Sequence, residues 1–128
     1  MAADIRTQAD LDSENAILGF LKERYPNFNY ITEESDNIES DSDFTFIIDP
    51  LDGTNTFSVG IPNFSVSIGL IKNLEPVCGV VYNPISNFIV HAQTNEGTHV
   101  ELEPTRVSNT TTLDKSTIGY SCGYHNYR

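Results

Sequence analysis

The chain has 128 residues, 38% of them hydrophobic, which suffices for one domain with a core and is too short for two ordinary ones. It carries 18 Asp and Glu against 7 Lys and Arg, a formal charge of −11, so it lacks the basic surface that nucleic acid or an anionic membrane would need. Two cysteines without further ligand spacing argue against a zinc site or a disulfide scaffold, and no apolar leader or run of transmembrane length occurs, so a soluble, reducing, cytoplasmic setting is expected.

Thr7 is placed to cap a helix, with Asp10 in the first turn to complement the dipole. Leu11, Ile17, Leu18 and Leu21 follow near helical spacing, and Pro26 closes the helix at about Tyr25. Residues 27–31 read as a connection and a weak strand, and 36–43 as an acidic surface loop. No Lys or Arg occurs between Arg24 and Lys72, while acids recur throughout that stretch.

Residues 44–48 are apolar at nearly every position, which predicts a strand buried on both faces. The turn Asp49-Pro50-Leu51-Asp52-Gly53-Thr54 follows, then a short helix over 54–57 that Pro62 ends. Phe64, Val66, Ile68 and Leu70 alternate with Ser65, Ser67, Gly69 and Ile71, a half-buried strand. Residues 77–82, 88–92 and 98–102 add three more strands across short turns, which predicts an antiparallel meander. The first helix would cover one face of this α+β layer. Cys78, in an apolar run, is expected as a buried free thiol. Residues 118–120 could begin a further strand. His91, His99 and His125 show no partner spacing and read as strand-face or tail residues.

The chemistry concentrates at the acidic turn. Asp49 and Asp52 can point to one place if the turn is tight, and Pro50 stiffens it. The Leu51 carbonyl lies between them as a further oxygen, and Glu33 would come from another segment. Three carboxylates and a carbonyl suit Mg²⁺, which takes an octahedral oxygen shell, and two such cations can activate a water and stabilise the leaving oxygen of a phosphate ester. Gly53 permits close backbone approach, the Gly53 and Thr54 N–H groups can hold phosphate oxygens, and the Thr54 hydroxyl can orient the attacking water.

These residues resemble the inositol monophosphatase family of magnesium-dependent, lithium-sensitive phosphatases. Asp49 to Thr54 matches its Asp-Pro-x-Asp-Gly-Thr signature, and the run from Gly60 to Gly69 and Gly79-Val80-Val81-Tyr82-Asn83-Pro84 also match. Glu33-Glu34-Ser35 is similar to its Gly-Glu-Glu-Ser segment, with Thr32 in place of Gly, and Thr7-Gln8-Ala9-Asp10 through Glu14 is similar to its first-helix start. The resemblance implies that Glu33, Asp49, Asp52 and the Leu51 carbonyl are metal ligands, and that Glu34 stands behind them or orients a metal-bound water. It also implies that Thr54 positions the attacking water with Asp10 as hydrogen-bond partner, and that Asp52, Gly53 and Thr54 contact the substrate phosphate. The implied substrate is a small phosphorylated polyol, sugar or nucleotide, by default inositol monophosphate. The implied fold is the N-terminal half of a layered α/β/α/β/α sugar-phosphatase architecture.

The family's C-terminal α/β domain carries a Trp-Asp-x-Ala-x-Gly motif, and this chain contains no Trp. Residues 1–128 are therefore expected to form an incomplete N-terminal metal-binding domain, with the C-terminal domain absent. The alternative to a phosphatase is a non-catalytic metal- or phosphate-binding remnant. An uncovered apolar sheet face would also favour self-association, a homodimer being its simplest form.

Overall fold

The computed structural model of the chain describes residues 6–119. Helix α1 spans Gln8–Arg24 and starts where the sequence indicates. The Thr7 side chain accepts the Ala9 N–H at 3.2 Å, and the Thr7 N–H donates to Asp10 Oδ2 at 2.8 Å, closing a capping box. At the other end the Tyr25 N–H donates to the Leu21 carbonyl at 2.7 Å before Pro26 stops the helix.

One face of α1 is buried through Asp10, Glu14, Leu18 and Leu21. Its first half is thus charged and its second half apolar, which the hydropathy pattern alone does not display. Leu18 and Leu21 join Tyr30, Phe46 and Ile48 in the core, with Ile17, Phe28, Ile38, Ile68 and Leu70 packed around them. The Tyr30 hydroxyl donates to the Tyr25 carbonyl at 2.7 Å, so this buried phenol is satisfied. Ile48 is 2% exposed, and its replacement by alanine is expected to cost about 2–5 kcal/mol, read as a fall in the urea midpoint.

Seven strands form one sheet in sequence order: β1 (Asn29–Thr32), β2 (Phe44–Asp52), β3 (Ser65–Lys72), β4 (Glu75–Asn83), β5 (Phe88–Gln93), β6 (Gly97–Val100) and β7 (Glu103–Thr105). From β2 onward every pairing is antiparallel, as the meander reading requires. β1 instead runs parallel to β2, with Tyr30 beside Phe46 and Thr32 beside Ile48, so the sheet is mixed. The acidic loop 33–43 carries the chain back to the starting edge, a crossover rather than a hairpin. Helix α2 spans Thr54–Ser58, and a 3₁₀ turn spans Leu113–Lys115.

Several expectations are corrected. β2 does not end at Ile48 but continues through Asp49-Pro50-Leu51-Asp52, with a register break between Asp49 and Asp52. Pro50 has no N–H to donate, and the break places it where no ladder bond is needed. β2 is also not buried on both faces: Ile47 is 42% exposed while Ile48 is covered. α1 packs on β2 and screens one face only. Cys78 on β4 shares the helix-covered face with Phe46 and Leu70 but is exposed, two strands away from β2, on which α1 packs. The strand expected over 98–102 is cut by a turn in which Glu101 takes a φ of 56°, and a short β7 follows. His91 and His99 are strand residues, as expected, and they stack across β5 and β6 with ring centroids 5.3 Å apart. Ile118 and Gly119 form no strand, and Tyr120, Cys122 and His125 lie outside the described residues. No helix among the described residues is long and apolar enough to cross a membrane.

Candidate functional site

Three segments meet at one end of β2: the first turns of α1, the residues that follow β1, and the Asp49–Thr54 run that joins β2 to α2. A cleft of about 510 Å³ opens between them, lined by Arg6, Glu33, Glu34, Asp52, Gly53, Thr54 and Asn55.

The Thr54 hydroxyl donates to Asp10 Oδ1 at 3.0 Å and lies 3.1 Å from the Leu51 carbonyl. Asp10 is 1% exposed and also accepts from the Thr7 hydroxyl at 2.5 Å. Burial works to raise the Asp10 pKa, but hydrogen bonds from Thr7 and Thr54 outweigh it and hold the carboxyl below its ordinary value. Asp10 therefore stays an acceptor and fixes the direction of the Thr54 O–H.

Gly53 has a φ of 98°, and a Cβ there would lie 2.8 Å from the Asn63 carbonyl oxygen. The Thr56 hydroxyl donates to the Gly53 carbonyl at 2.7 Å and also bonds the Asn63 carbonyl, tying this turn to the start of β3. The Leu51 N–H donates to Asp49 Oδ1 at 3.1 Å, and the Ser13 hydroxyl on α1 donates to the Pro50 carbonyl at 2.8 Å. These bonds fix the bulged backbone between the two aspartates.

Glu33 follows the end of β1, and its carboxyl comes close enough to Asp49 for the two to interact. Burial of its carboxyl and then the adjacent Asp49 charge push Glu33 up to about 7, although the residue as a whole is exposed. Burial raises Asp49 as well, against the hydrogen bonds it receives from Glu33 and the Leu51 N–H. Two neighbouring carboxyls that are both costly to ionise form a site short of positive charge, and a divalent cation fits such a pair. Among the described residues no group of three or more His, Cys, Asp or Glu side chains is gathered to hold a metal ion; Glu33 and Asp52 line the cleft together, while Asp49 stands behind its wall. Glu34 turns to Arg6, whose guanidinium lies 2.5 Å from its carboxylate and donates to its carbonyl at 2.7 Å. Burial raises Glu34, with Arg6 opposing.

The sign of the resulting pH dependence follows. A carboxyl whose folded pKa exceeds its unfolded value favours the folded state while protonated, and that contribution disappears as pH rises through the folded value. For Glu33 the window runs from the ordinary 4.5 to about 7. In chelator, the melting temperature is expected to fall between pH 5 and roughly pH 7.5, with the size tempered by solvent screening of this exposed side chain. A rise over that interval in a thermal scan would contradict the Glu33–Asp49 contact.

Sequence reasoning assigned no role to Arg6, Ser13 or Glu14. Glu14 follows Asp10 by one helical turn on the buried face, and that spacing was its available signal. A second hollow, about 450 Å³, lies on the sheet face opposite α1, bordered by Ile47, Asp49, Gly69, Val81 and Ala92. It is largely apolar and gathers no second set of charged groups.

A sequence model described as the inositol monophosphatase family matches residues 1–128. The chain is 41% identical over 118 residues to an inositol-1-monophosphatase of Synechocystis sp., covering 91% of this chain and 41% of that protein. It is 43% identical over 107 residues to the Nus factor SuhB of Pasteurella multocida, covering 83% and 40%. Among solved structures, the extragenic suppressor protein suhB of Bartonella henselae superposes with a TM-score of 0.83 at 40% identity, over 86% of this chain and 44% of that one. An inositol monophosphate-bound SaIMPase-II superposes at 0.73 with 31% identity, over 81% and 41%, and a 2′AMP-bound form at 0.73 with 30% identity, again over 81% and 41%. The chain thus spans about two-fifths of the length of the relatives it matches.

Proposed function

The chain belongs to the inositol monophosphatase family, and from that premise we propose that it supplies the cation-binding and water-orienting part of a Mg²⁺-dependent phosphatase of small phosphomonoesters. The observation that carries the reading is the junction of Glu33 with Asp49 and of Asp10 with Thr54 at one end of β2. Glu33, Asp49, Asp52 and the Leu51 carbonyl would hold the cations, with Glu34 behind them. Bound there, two cations would activate the attacking water and offset the charge that develops as the ester bond breaks.

The chain's own groups do the rest. Asp10 draws the Thr54 hydroxyl hydrogen toward itself, so the lone pairs of Thr54 Oγ1 are left to accept a hydrogen bond from a water in the cleft. Gly53, with no side chain, lets a phosphate oxygen approach the backbone of the Asp52–Thr54 turn. The acidic walls need cations to receive an anionic substrate, since Arg6 is the one basic side chain lining the cleft among the described residues.

Inositol monophosphate is the substrate of choice, because one related enzyme has been captured with it bound. A nucleotide monophosphate is the competing member of the same class, given the 2′AMP-bound form of that enzyme. A cytoplasmic setting accords with Mg²⁺ chemistry on soluble phosphates. The test is phosphate release from inositol monophosphate and from 2′AMP, with and without Mg²⁺. Turnover that needs Mg²⁺ supports the reading. If millimolar Mg²⁺ neither raises the melting temperature nor supports turnover, the cation role is wrong.

A further inference from the structure

Glu14 is a charged side chain that never reaches the cleft. It is 3% exposed, and both carboxylate oxygens are spent on one neighbouring segment. Oε2 accepts the Glu34 N–H at 3.0 Å, and Oε1 accepts the Ser35 hydroxyl. Neither described salt bridge involves Glu14, so a buried charge is satisfied by neutral donors alone. Burying an ion costs several kcal/mol, and an apolar residue of similar size would join the helix to its neighbours at least as stably. What a carboxylate adds is direction: two acceptors that fix the backbone it faces.

The segment so fixed needs fixing. β1 ends at Thr32, so residues 33–35 have no ladder partner. Their remaining ties are the Thr32 hydroxyl, which donates to the Ser35 carbonyl at 3.1 Å, and Arg6 at Glu34. Glu33, the residue of this segment that meets Asp49, is next in sequence to the amide Glu14 holds. One turn earlier on the same helix face, Asp10 holds Thr54 on the other side of the cleft. α1 therefore fixes the two walls separately, each through one buried carboxylate.

We propose that Glu14 is a positioning residue that sets the separation of the Glu33 and Asp49 carboxyls, and with it the affinity of the cleft for a divalent cation. The proposal rests on the cation reading given above.

The experiment is Mn²⁺ binding, followed by loss of the free-ion spin-resonance signal, for the protein and its Glu14→Leu, Glu14→Gln and Ser35→Ala variants, with a melting curve for each. Leucine keeps volume but offers no acceptor. Glutamine can accept the Glu34 N–H at its oxygen and donate to the Ser35 hydroxyl at its nitrogen. Leucine is expected to weaken Mn²⁺ binding about 10- to 100-fold, as loss of a group that orients a ligand does, whereas glutamine restores it to within about threefold. Ser35→Ala, which removes one of the two donors, should fall between them. If the leucine variant binds like the parent, or if leucine and glutamine lose affinity equally, the positioning role is overturned. If the parent protein itself fails to bind Mn²⁺, the cation reading falls first and takes this one with it, an outcome distinct from the other two. Should the leucine variant fail to fold, the glutamine and Ser35→Ala variants still decide the matter: parental affinity in Ser35→Ala, or lost affinity in Glu14→Gln, overturns it.

Discussion

Asp49→Asn is expected to make the protein more stable without cations and unresponsive to them. Among the described residues Asp49 and Glu33 have no positive partner: the Asp49 charge raises the cost of ionising Glu33, and burial raises that of Asp49 itself. Asparagine removes one of the two like charges and keeps the shape, so the melting temperature in chelator at neutral pH should rise. The same change would remove an anionic ligand from the proposed cation site. At a Mg²⁺ concentration one hundred times its dissociation constant, the parent gains about 2.7 kcal/mol through linkage, and the variant should gain almost none of it. Melting curves with chelator and with Mg²⁺ give both readings from one sample. A variant still stabilised by Mg²⁺ to the parental extent would remove Asp49 from the cation site. Opposite movement of stability and binding is the signature of a functional site held under electrostatic strain.

Gly53→Ala should be the most damaging glycine-to-alanine change among the described residues. The backbone there has a φ of 98°, which costs an L-residue about 1–2 kcal/mol. The added Cβ would also lie 2.8 Å from the Asn63 carbonyl oxygen, 3.1 Å from Thr56 Oγ1 and 3.3 Å from Phe64 Cα. Two of those neighbours are backbone, so a rotamer change cannot relieve the clash, and overpacking adds roughly 1–3 kcal/mol. A total near 3 kcal/mol would lower the melting temperature by roughly 10–20 °C in a domain of this size. The displaced turn is the one that carries Asp52 and Thr54, so Mg²⁺ binding should weaken as well. An alanine variant that melts within 2–3 °C of the parent, a shift worth under about 1 kcal/mol, would mean the turn relaxes without cost.

Much of this could be read before any coordinates. Thr7, Asp10 and Pro26 bound α1 because capping and termination are local, and the alternation from Phe64 to Ile71 marks β3 because burial has a period of two. Strand direction is not local: nothing in Asn29–Thr32 says that it runs parallel to β2. Ile47 is exposed because the helix covers one face only, and Cys78 because that helix does not reach β4; composition encodes neither. Pro50 read as stiffening a turn, yet it lies within β2, where the register break left a place that requires no donor. At the site, Asp49 to Thr54 were legible from spacing, and the Asp10–Thr54 bond came from resemblance and is present. The grip of Glu14 on the Glu34 amide was not legible, because it joins residues twenty positions apart through the backbone of one of them.

The register break in β2 also divides the molecule by how readily its amides should exchange with solvent. Up to Ile48 the strand is bonded to β1 and β3 and lies beneath α1, so these amides should open only with the whole fold. Beyond Asp49 the ladder lapses until Asp52 meets Ser65, and the backbone there is held mainly by the side chains of Ser13, Asp49 and Thr54. Exchange past the break should be faster and should slow when a ligand docks. β2 would then behave as an anchored stem with an adjustable tip, able to tighten around an ion without disturbing the core that carries it.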